Sequence, residues 1–147
     1  TWRSTIHMIE LNPVTGNGLG TFRLIYPAYR DREIFRIEGK HQTETQHPEN
    51  EYLEIINDQG IIGIGLYIWM LGAILIRGLV RIKGYLAQTT IIKKKDRTEY
   101  QLKPQVYYLI GYIAGLLGLL SHNLFCVNLR FVSSGFYFWL FLGLIGG

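Results

Sequence analysis

The apolar residues of this chain are gathered into three long blocks instead of being spread over amphipathic elements. The first block, residues 61–80, reads IIGIGLYIWMLGAILIRGLV and has one charge near its end. The second covers residues 105–128, and the third, residues 131–147, reads FVSSGFYFWLFLGLIGG. A helix of about twenty residues is roughly 30 Å long, which matches the hydrocarbon thickness of a bilayer. The pattern therefore predicts an all-α, multi-span integral membrane protein with a transmembrane helix at each block.

Charge is distributed unevenly on the two sides of the first block. Residues 77–104 hold eight Arg or Lys against two Asp or Glu, whereas residues 1–60 hold six against nine. Because short basic loops stay on the cytoplasmic side of a membrane, we expect residues 81–104 to form a basic cytoplasmic loop. Residues 1–60 and the junction near Arg130 then lie on the opposite side. This topology also accounts for the run Lys93-Lys94-Lys95, so no nucleic-acid partner is indicated.

A cluster of titratable residues lies just before the first apolar block, in the sequence His47-Pro48-Glu49-Asn50-Glu51-Tyr52-Leu53-Glu54. Pro48 suits the first turn of a helix, which makes His47 the expected N-cap. Spacings of three and four residues then place His47, Asn50, Glu51 and Glu54 on one polar face. We expect this short helix to end at Gly60, in the left-handed conformation that glycine adopts readily.

His47 is the candidate for acid–base chemistry. An unperturbed imidazole has a pKa of about 6.5, so it can take a proton from a hydroxyl near neutral pH. Glu51 or Glu54 could orient the ring and raise its basicity. The same pattern also fits a plain helix cap beside a solvated carboxylate face. A metal site at His41, His47 and Glu51 is disfavoured, because the chain has no His-Glu-x-x-His motif or closely spaced His pair.

The order of these features resembles the C-terminal half of the bacterial O-antigen ligase and polymerase superfamily. The resemblance extends over nearly the whole chain: a glycine-bearing loop at residues 13–22, Tyr26-Pro27, the segment from His47 to Gly63, a basic loop and two further spans. Its most specific part is the segment from His47 to Gly63. His47 matches the essential histidine of the family motif, and Asn50 matches its polar companion.

This resemblance implies a metal-independent glycosyltransferase of the bacterial inner membrane that needs no cofactor. Such enzymes move a glycan from an undecaprenyl pyrophosphate carrier to an acceptor hydroxyl, commonly on the lipid A core, at the periplasmic face. Residues 1–60 would then be a periplasmic segment that carries the catalytic residues His47, Asn50 and Glu51. The expected partners are the carrier-linked glycan, the lipid A core or another glycan acceptor, and membrane lipid.

Basic and polar residues near the same membrane face are candidates for substrate binding. Arginine matches phosphate oxygens with paired donors. The expected contacts of the pyrophosphate are Arg23, Arg30, Arg36 and Arg130. Arg130 is the sharpest of these, although an anchor that reaches lipid phosphate would explain it equally well. His122 and Asn123, near the end of the second span, could line the substrate, support the site or simply bond to a neighbouring helix.

Gly16, Gly18 and Gly20 alternate along a short segment rich in turn-forming residues. We expect a tight loop there, because glycine tolerates positive φ angles, and its bare amides could also approach a phosphate. The third apolar block stops in mid-pattern at Gly147, and the chain opens at Thr1 without an initiator Met, which indicates an excerpt with a truncated third span.

Other interpretations of the function stay open beside the ligase. An O-antigen polymerase or a protein O-oligosaccharyltransferase would use the same donor with a different acceptor. A non-catalytic transporter or scaffold subunit would use the His47 helix only as an anchor at the membrane surface. The sequence separates none of these from a ligase.

Overall fold

The computed structural model describes residues 1–30, 46–88, 90–94 and 97–147, and most of them are helical. In chain order its helices are α1 (Trp2–Ile9), α2 (Phe22–Tyr29), α3 (Glu51–Ala87), α4 (Pro104–His122) and α5 (Val132–Gly146), with a short 3-10 helix at Asn128–Arg130 before α5. An antiparallel hairpin of β1 (Thr90–Lys94) and β2 (Arg97–Gln101) lies between α3 and α4. The predicted helical fold is therefore confirmed, with this hairpin as an addition.

Two helices, α3 and α4, are long and apolar enough to cross a membrane. Their most apolar windows are only 11% and 17% buried within the protein, so most of this apolar surface is exposed. A core helix of a water-soluble domain would bury its apolar residues instead. The third apolar block forms α5, which is shorter at 15 residues.

Several boundaries differ from those that the sequence pattern predicts. Helix α3 continues to Ala87, and residues 81–104, predicted as a loop, contain the end of α3 and the hairpin. Residues 81–87 hold no proline and include good helix formers, and β-branched and aromatic residues favour the two strands. The second span is shorter than predicted, because α4 ends at His122, where the polar sequence Ser121-His122-Asn123 competes for backbone hydrogen bonds.

The three long helices pack around one apolar core. Its buried residues are Leu71 of α3, Leu116 of α4, and Phe138, Leu142 and Ile145 of α5. The order of the elements puts the start of α3, the end of α4 and the start of α5 at one end of this bundle. The hairpin lies at the other end, after α3 and before α4. The segment from His47 to Glu54 and the basic hairpin therefore lie at opposite ends of the bundle.

Helix α3 is kinked at Gly60, where φ is 65° and ψ is −164°. The predicted break at Gly60 with a positive φ is therefore confirmed: one helical segment stops there, and the apolar segment begins directly afterwards at an angle to it. A kink leaves backbone groups without helical partners, and residues 12–20 supply them. The N–H of Ile61 donates to the carbonyl oxygen of Pro13 at 2.9 Å, and the carbonyl oxygen of Asn57 accepts from the N–H of Asn17 at 2.7 Å. We call residues 12–20 the kink loop.

The kink loop has positive φ angles at Gly16, Gly18 and Gly20, as the sequence pattern predicts. Its glycine amides already donate within the protein. The Gly16 N–H donates to the carbonyl oxygen of Asn12, and the N–H groups of Gly18 and Gly20 donate to the main chain and the side chain of Asp58. The loop therefore stabilises the bend of α3, and these amides are not left for a phosphate.

Gly16→Ala is expected to undock the kink loop. A Cβ at this position would lie 2.4 Å from the backbone of Asp58 and Gln59, at a φ of +75° that side chains rarely adopt. We expect a loss of about 2 to 3 kcal/mol in the free energy of unfolding, measured by chemical unfolding with circular dichroism. Hydrogen exchange of the Ile61 amide should become faster, because its acceptor on Pro13 is lost.

Gly20→Ala is the matched control for this prediction. Gly20 also has a positive φ, of +71°, but an added Cβ would meet nothing within 4 Å. It should therefore cost only the backbone strain of about 1 kcal/mol. Equal losses in the two variants, with unchanged exchange at Ile61, would contradict the docking role of the loop.

Candidate functional site

The start of α3 is fixed by Asn50. Its Oδ1 accepts from the N–H of Leu53 at 3.0 Å, and its Nδ2 donates to the carbonyl oxygen of Leu124 at 2.9 Å. The prediction that His47 caps this helix is wrong, because α3 begins three residues later than predicted and asparagine is the stronger cap. Asn50 is buried with both ends of its amide occupied, so it positions α3 against the end of α4 and does not serve His47 directly.

His47 lies outside the helix, yet its ring reaches Glu54. Its Nδ1 is 2.8 Å from Oε1 of Glu54, whose side chain is 1% exposed, whereas that of His47 is 34% exposed. An ionised carboxylate can only accept a hydrogen bond, so Nδ1 donates to it, and in a neutral ring the lone pair then lies on Nε2. The expected histidine–carboxylate pair is confirmed with Glu54 as the partner.

Glu51, the other candidate partner, turns towards the chain after α4. Its Oε2 accepts from the N–H of Leu129 at 3.1 Å, and its own N–H donates to the carbonyl oxygen of Asn123 at 3.0 Å. Glu51 is 2% exposed. Glu51 therefore helps to hold the segment that carries Arg130. It interacts with His47 only through the electrostatic attraction of their charges, without a hydrogen bond.

Arg130 lies against the same group of carboxylates. Its Nε is 3.0 Å from Oε1 of Glu54, and its Nη2 is 2.7 Å from Oδ2 of Asp58. Both carboxylate side chains are buried, while the Arg130 side chain is 32% exposed. These two ion pairs connect Arg130 to His47 through Glu54. We call His47, Glu51, Glu54, Asp58 and Arg130 the charge cluster.

Burial shapes the ionisation of the charge cluster, which lies outside the apolar segments. Burial raises the pKa of Glu54, and the hydrogen bond from His47 and the charge of Arg130 offset this only in part. Burial also raises the pKa of Glu51. For Arg130, burial opposes the charge, but the bond to Asp58 and the charge of Glu54 outweigh it and raise the pKa. The cluster thus holds a permanent cation among glutamates that take up protons more readily than usual.

Glu51→Gln is expected to remove a pH-dependent loss of stability. Because the pKa of Glu51 is raised on folding, the folded state binds more protons than the unfolded state above about pH 4.5, and stability falls as the pH rises through that window. Glutamine keeps an oxygen for the Leu129 N–H but carries no charge. The difference in the free energy of unfolding, variant minus wild type, should therefore increase as the pH rises from about 4.5 to 7.

Glu10→Gln is the control, since Glu10 lies at the exposed end of α1 with a side chain that is 67% exposed. Its stability curve should stay parallel to that of the wild type across the same pH range. If the Glu51→Gln curve is also parallel, burial of Glu51 has no cost in ionisation and this account is wrong.

Two cavities adjoin the charge cluster. A cleft of about 300 Å³ has Arg23, Gln46, His47 and Glu54 as its polar lining. A groove of about 450 Å³ runs along α3 and has Glu51, Gln59 and Arg130 as its polar residues, with apolar walls that include Leu66, Met70 and Trp139. We call them the His47 cleft and the Arg130 groove. The shared carboxylate of Glu54, which contacts both His47 and Arg130, connects them.

The remaining predicted site residues are divided between these cavities and their support. Arg23 is exposed in the His47 cleft, and Arg30 is half-buried directly after α2. Asn123 is fully buried, and its Oδ1 accepts from Nδ2 of Asn128 at 2.9 Å, so it supports the chain before Arg130 instead of lining a substrate. His122 also bonds through its ring to the Asn128 amide. Arg36 lies outside the described residues.

Asp58 is the functional residue that the sequence pattern misses. It accepts from Arg130 and from the N–H of Gly20, and its side chain is fully buried. The segment Asn57-Asp58-Gln59-Gly60 is typical of a helix end, which hides the fact that Asp58 lies one turn beyond Glu54 on the same face. Extending the i, i+4 pattern by one more turn would have found it.

Within the described ranges, no group of three or more His, Cys, Asp or Glu side chains is placed to hold a metal ion. No protein-family model, curated protein or solved structure matches the chain. Function is therefore inferred from the geometry of the charge cluster and from the order of the sequence motifs.

Proposed function

We propose that this protein is a multi-span membrane glycosyltransferase of the O-antigen ligase type. It transfers a glycan from an undecaprenyl pyrophosphate carrier to an acceptor hydroxyl, commonly of the lipid A core, on the periplasmic side of the bacterial inner membrane. The observation that carries this proposal is the bond between His47 and the buried Glu54, directly before a helix whose next segment is apolar for the thickness of a bilayer. A basic group of that kind beside a membrane suits a lipid-linked substrate.

The reaction needs one proton acceptor and one anion site. Nε2 of His47 removes the proton from the acceptor hydroxyl as its oxygen attacks the anomeric carbon of the donor sugar. The new carbon–oxygen bond forms while the bond from that carbon to the diphosphate oxygen breaks, and the diphosphate leaves with the electron pair. Arg130 and Arg23 stabilise the negative charge that develops on the leaving group.

The two cavities suit two different ligands. The His47 cleft combines a base, an amide and a buried carboxylate, which are groups that bind the hydroxyls of an acceptor sugar. Oε2 of Glu54 is buried without a hydrogen-bond partner in the described part of the chain, so a sugar hydroxyl could satisfy it. The Arg130 groove joins apolar walls to a cationic end, and this combination fits a lipid chain with an anionic head.

The exposed apolar faces of α3 and α4 and the charge distribution support the proposed topology. Lipid would cover the faces that the protein leaves exposed. Residues 77–104 carry an excess of basic residues, and the end of α3 and the hairpin, which are described parts of this stretch, lie at the opposite end of the bundle from His47. With the basic end in the cytoplasm, His47 and Arg130 meet the carrier lipid at the periplasmic surface.

Complementation of a ligase-deficient bacterium tests this function. Expression of the protein should attach the glycan to the lipid A core, scored against glycan that stays on the carrier, with His47→Ala at equal expression as the negative control. Longer glycan chains without attachment would instead identify a polymerase, and glycosylated protein would identify a protein O-oligosaccharyltransferase. Carrier-linked glycan that stays unchanged in every background would contradict the proposal and favour a non-catalytic membrane subunit.

A further inference from the structure

The three nitrogens of the Arg130 guanidinium have different surroundings. Nε and Nη2 bind Glu54 and Asp58, as described above. Among the residues that the structure describes, none accepts a hydrogen bond from Nη1. Arg130 lines the groove and 32% of its side chain is exposed, so the guanidinium can also meet an anion there, with Nη1 as the nitrogen that neither carboxylate occupies. The exposed amide of Gln59 lines the same groove and can donate as well.

A single oxygen atom links this anion site to the base. Oε1 of Glu54 lies 2.8 Å from Nδ1 of His47 and 3.0 Å from Nε of Arg130. The carboxylate of Glu54 therefore lies between the guanidinium of Arg130 and the imidazole of His47, in contact with both. A cation so near opposes protonation of the ring, and an anion bound to that cation offsets the opposition.

We propose that a diphosphate bound to Arg130 makes His47 a stronger base through the shared carboxylate of Glu54. The inference takes its ligand class from the proposed function and adds a coupling between the two cavities. The acceptor hydroxyl would then lose its proton efficiently only when the donor is in place. After transfer, departure of the diphosphate would lower the proton affinity of His47. The ring would then release its proton and be neutral again for the next reaction.

Linkage makes this coupling measurable without any transfer reaction. If the anion favours protonated His47, protonation of His47 must favour the anion by the same factor. A charge placed within about 10 Å of a partly buried imidazole changes its proton affinity by roughly tenfold. In the described part of the chain, Glu54 bonds to His47, Glu51 interacts with it electrostatically, and Arg23 lines the same cleft. Arg130 and Asp58 lie on the far side of Glu54.

The nearby glutamates offer a competing route for proton uptake. Burial raises the pKa of Glu51 and of Glu54, so an anion could be accompanied by a proton on either of them. The coupling must therefore be assigned with variants. His47→Gln removes the titrating group and keeps a hydrogen-bonding side chain, and Glu54→Gln removes the shared charge.

Calorimetric binding of inorganic pyrophosphate to the purified protein tests the proposal. The ratio of the affinity at about pH 6 to that at about pH 8 should be roughly tenfold larger for the wild type than for His47→Gln. Protonation of pyrophosphate itself is the same in both measurements and cancels. His7→Gln, at an exposed histidine that also pairs with a glutamate, should give the wild-type ratio.

Arg130→Lys tests the anion site while the fold is retained. Lysine keeps one positive charge for Glu54 and Asp58 but has a single nitrogen in place of the planar fork of three, so the affinity for pyrophosphate should fall by about tenfold with an unchanged circular dichroism spectrum. The His47→Gln comparison needs no Arg130 variant, so it decides the question even if Arg130→Lys fails to fold.

Three results would overturn the coupling. They are a wild type that does not bind pyrophosphate, equal pH ratios for the wild type and His47→Gln, and a ratio that survives in His47→Gln but disappears in Glu54→Gln. The glycan transfer assay is independent of all three. If binding is coupled to protonation of His47 but no glycan is transferred, the glycosyltransferase function is rejected and the coupling is retained. If glycan is transferred but binding is not coupled, the coupling is rejected and the function is retained.

Discussion

His47→Ala is expected to reduce the rate of glycan transfer by about 10²- to 10⁴-fold, because a positioned general base contributes about that much to a proton-transfer step. The geometry explains why this histidine has such an effect. Its Nδ1 is held by a buried carboxylate at 2.8 Å, which leaves the lone pair on Nε2 in a ring that is fixed and still 34% exposed. The measurement is glycan transferred per unit time by purified protein with a carrier-linked donor.

His7→Ala is the matched control for that prediction. His7 also bonds to a glutamate, Glu10, at 3.2 Å, but its side chain is 63% exposed on α1. Its replacement should leave the transfer rate within a factor of about two, as for an exposed residue outside the site. Retention of full activity in His47→Ala, at normal expression and stability, would rule out His47 as the base. Equal losses in both variants would point to a general effect on the protein.

The apolar blocks allowed the helical fold to be predicted, because each block corresponds to one helix. The hydrogen bonds of a helix join residues that are close in sequence, so the helix can be predicted without knowing its long-range contacts. The same is true of the kink loop, whose glycines favour positive φ angles by themselves. The start of α3 is harder, because His47, Asn50 and a proline all carry capping signals within four residues. Only the contact of Asn50 with Leu124 selects the true cap.

The parts of the site that the sequence could not predict depend on long-range contacts. The local pattern correctly predicts a break at Gly60, but it does not predict that the kink loop satisfies the backbone groups that the bend releases. In the same way, Arg130 pairs with Asp58 across 72 positions of the chain, which no spacing rule connects. The sequence therefore predicted the residue types of the site and offered Glu54 as one of two partners for His47, but it missed Asp58 as a partner of Arg130.

Arg130→Ala is expected to destabilise the protein by about 3 to 5 kcal/mol, because it leaves two buried carboxylates without their cation. The side chains of Glu54 and Asp58 are 1% and 0% exposed, so water cannot replace the lost partner without a local rearrangement. The loss should be greatest near neutral pH and should shrink in acid, where the carboxylates bind protons and lose their charge. Unfolding in detergent, followed by circular dichroism at several pH values, measures both effects.

Arg23→Ala is the control for charge, since Arg23 is an exposed arginine in the neighbouring cleft and should cost less than about 0.5 kcal/mol. The decisive comparison is the same Arg130→Ala change in a Glu54→Gln, Asp58→Asn background. With both carboxylates neutral, the cost of losing the arginine should fall well below that in the wild type, since residues in direct contact are not additive. If the cost is the same in both backgrounds, Arg130 stabilises the protein through packing of its side chain, and the ion pairs that connect it to His47 contribute little.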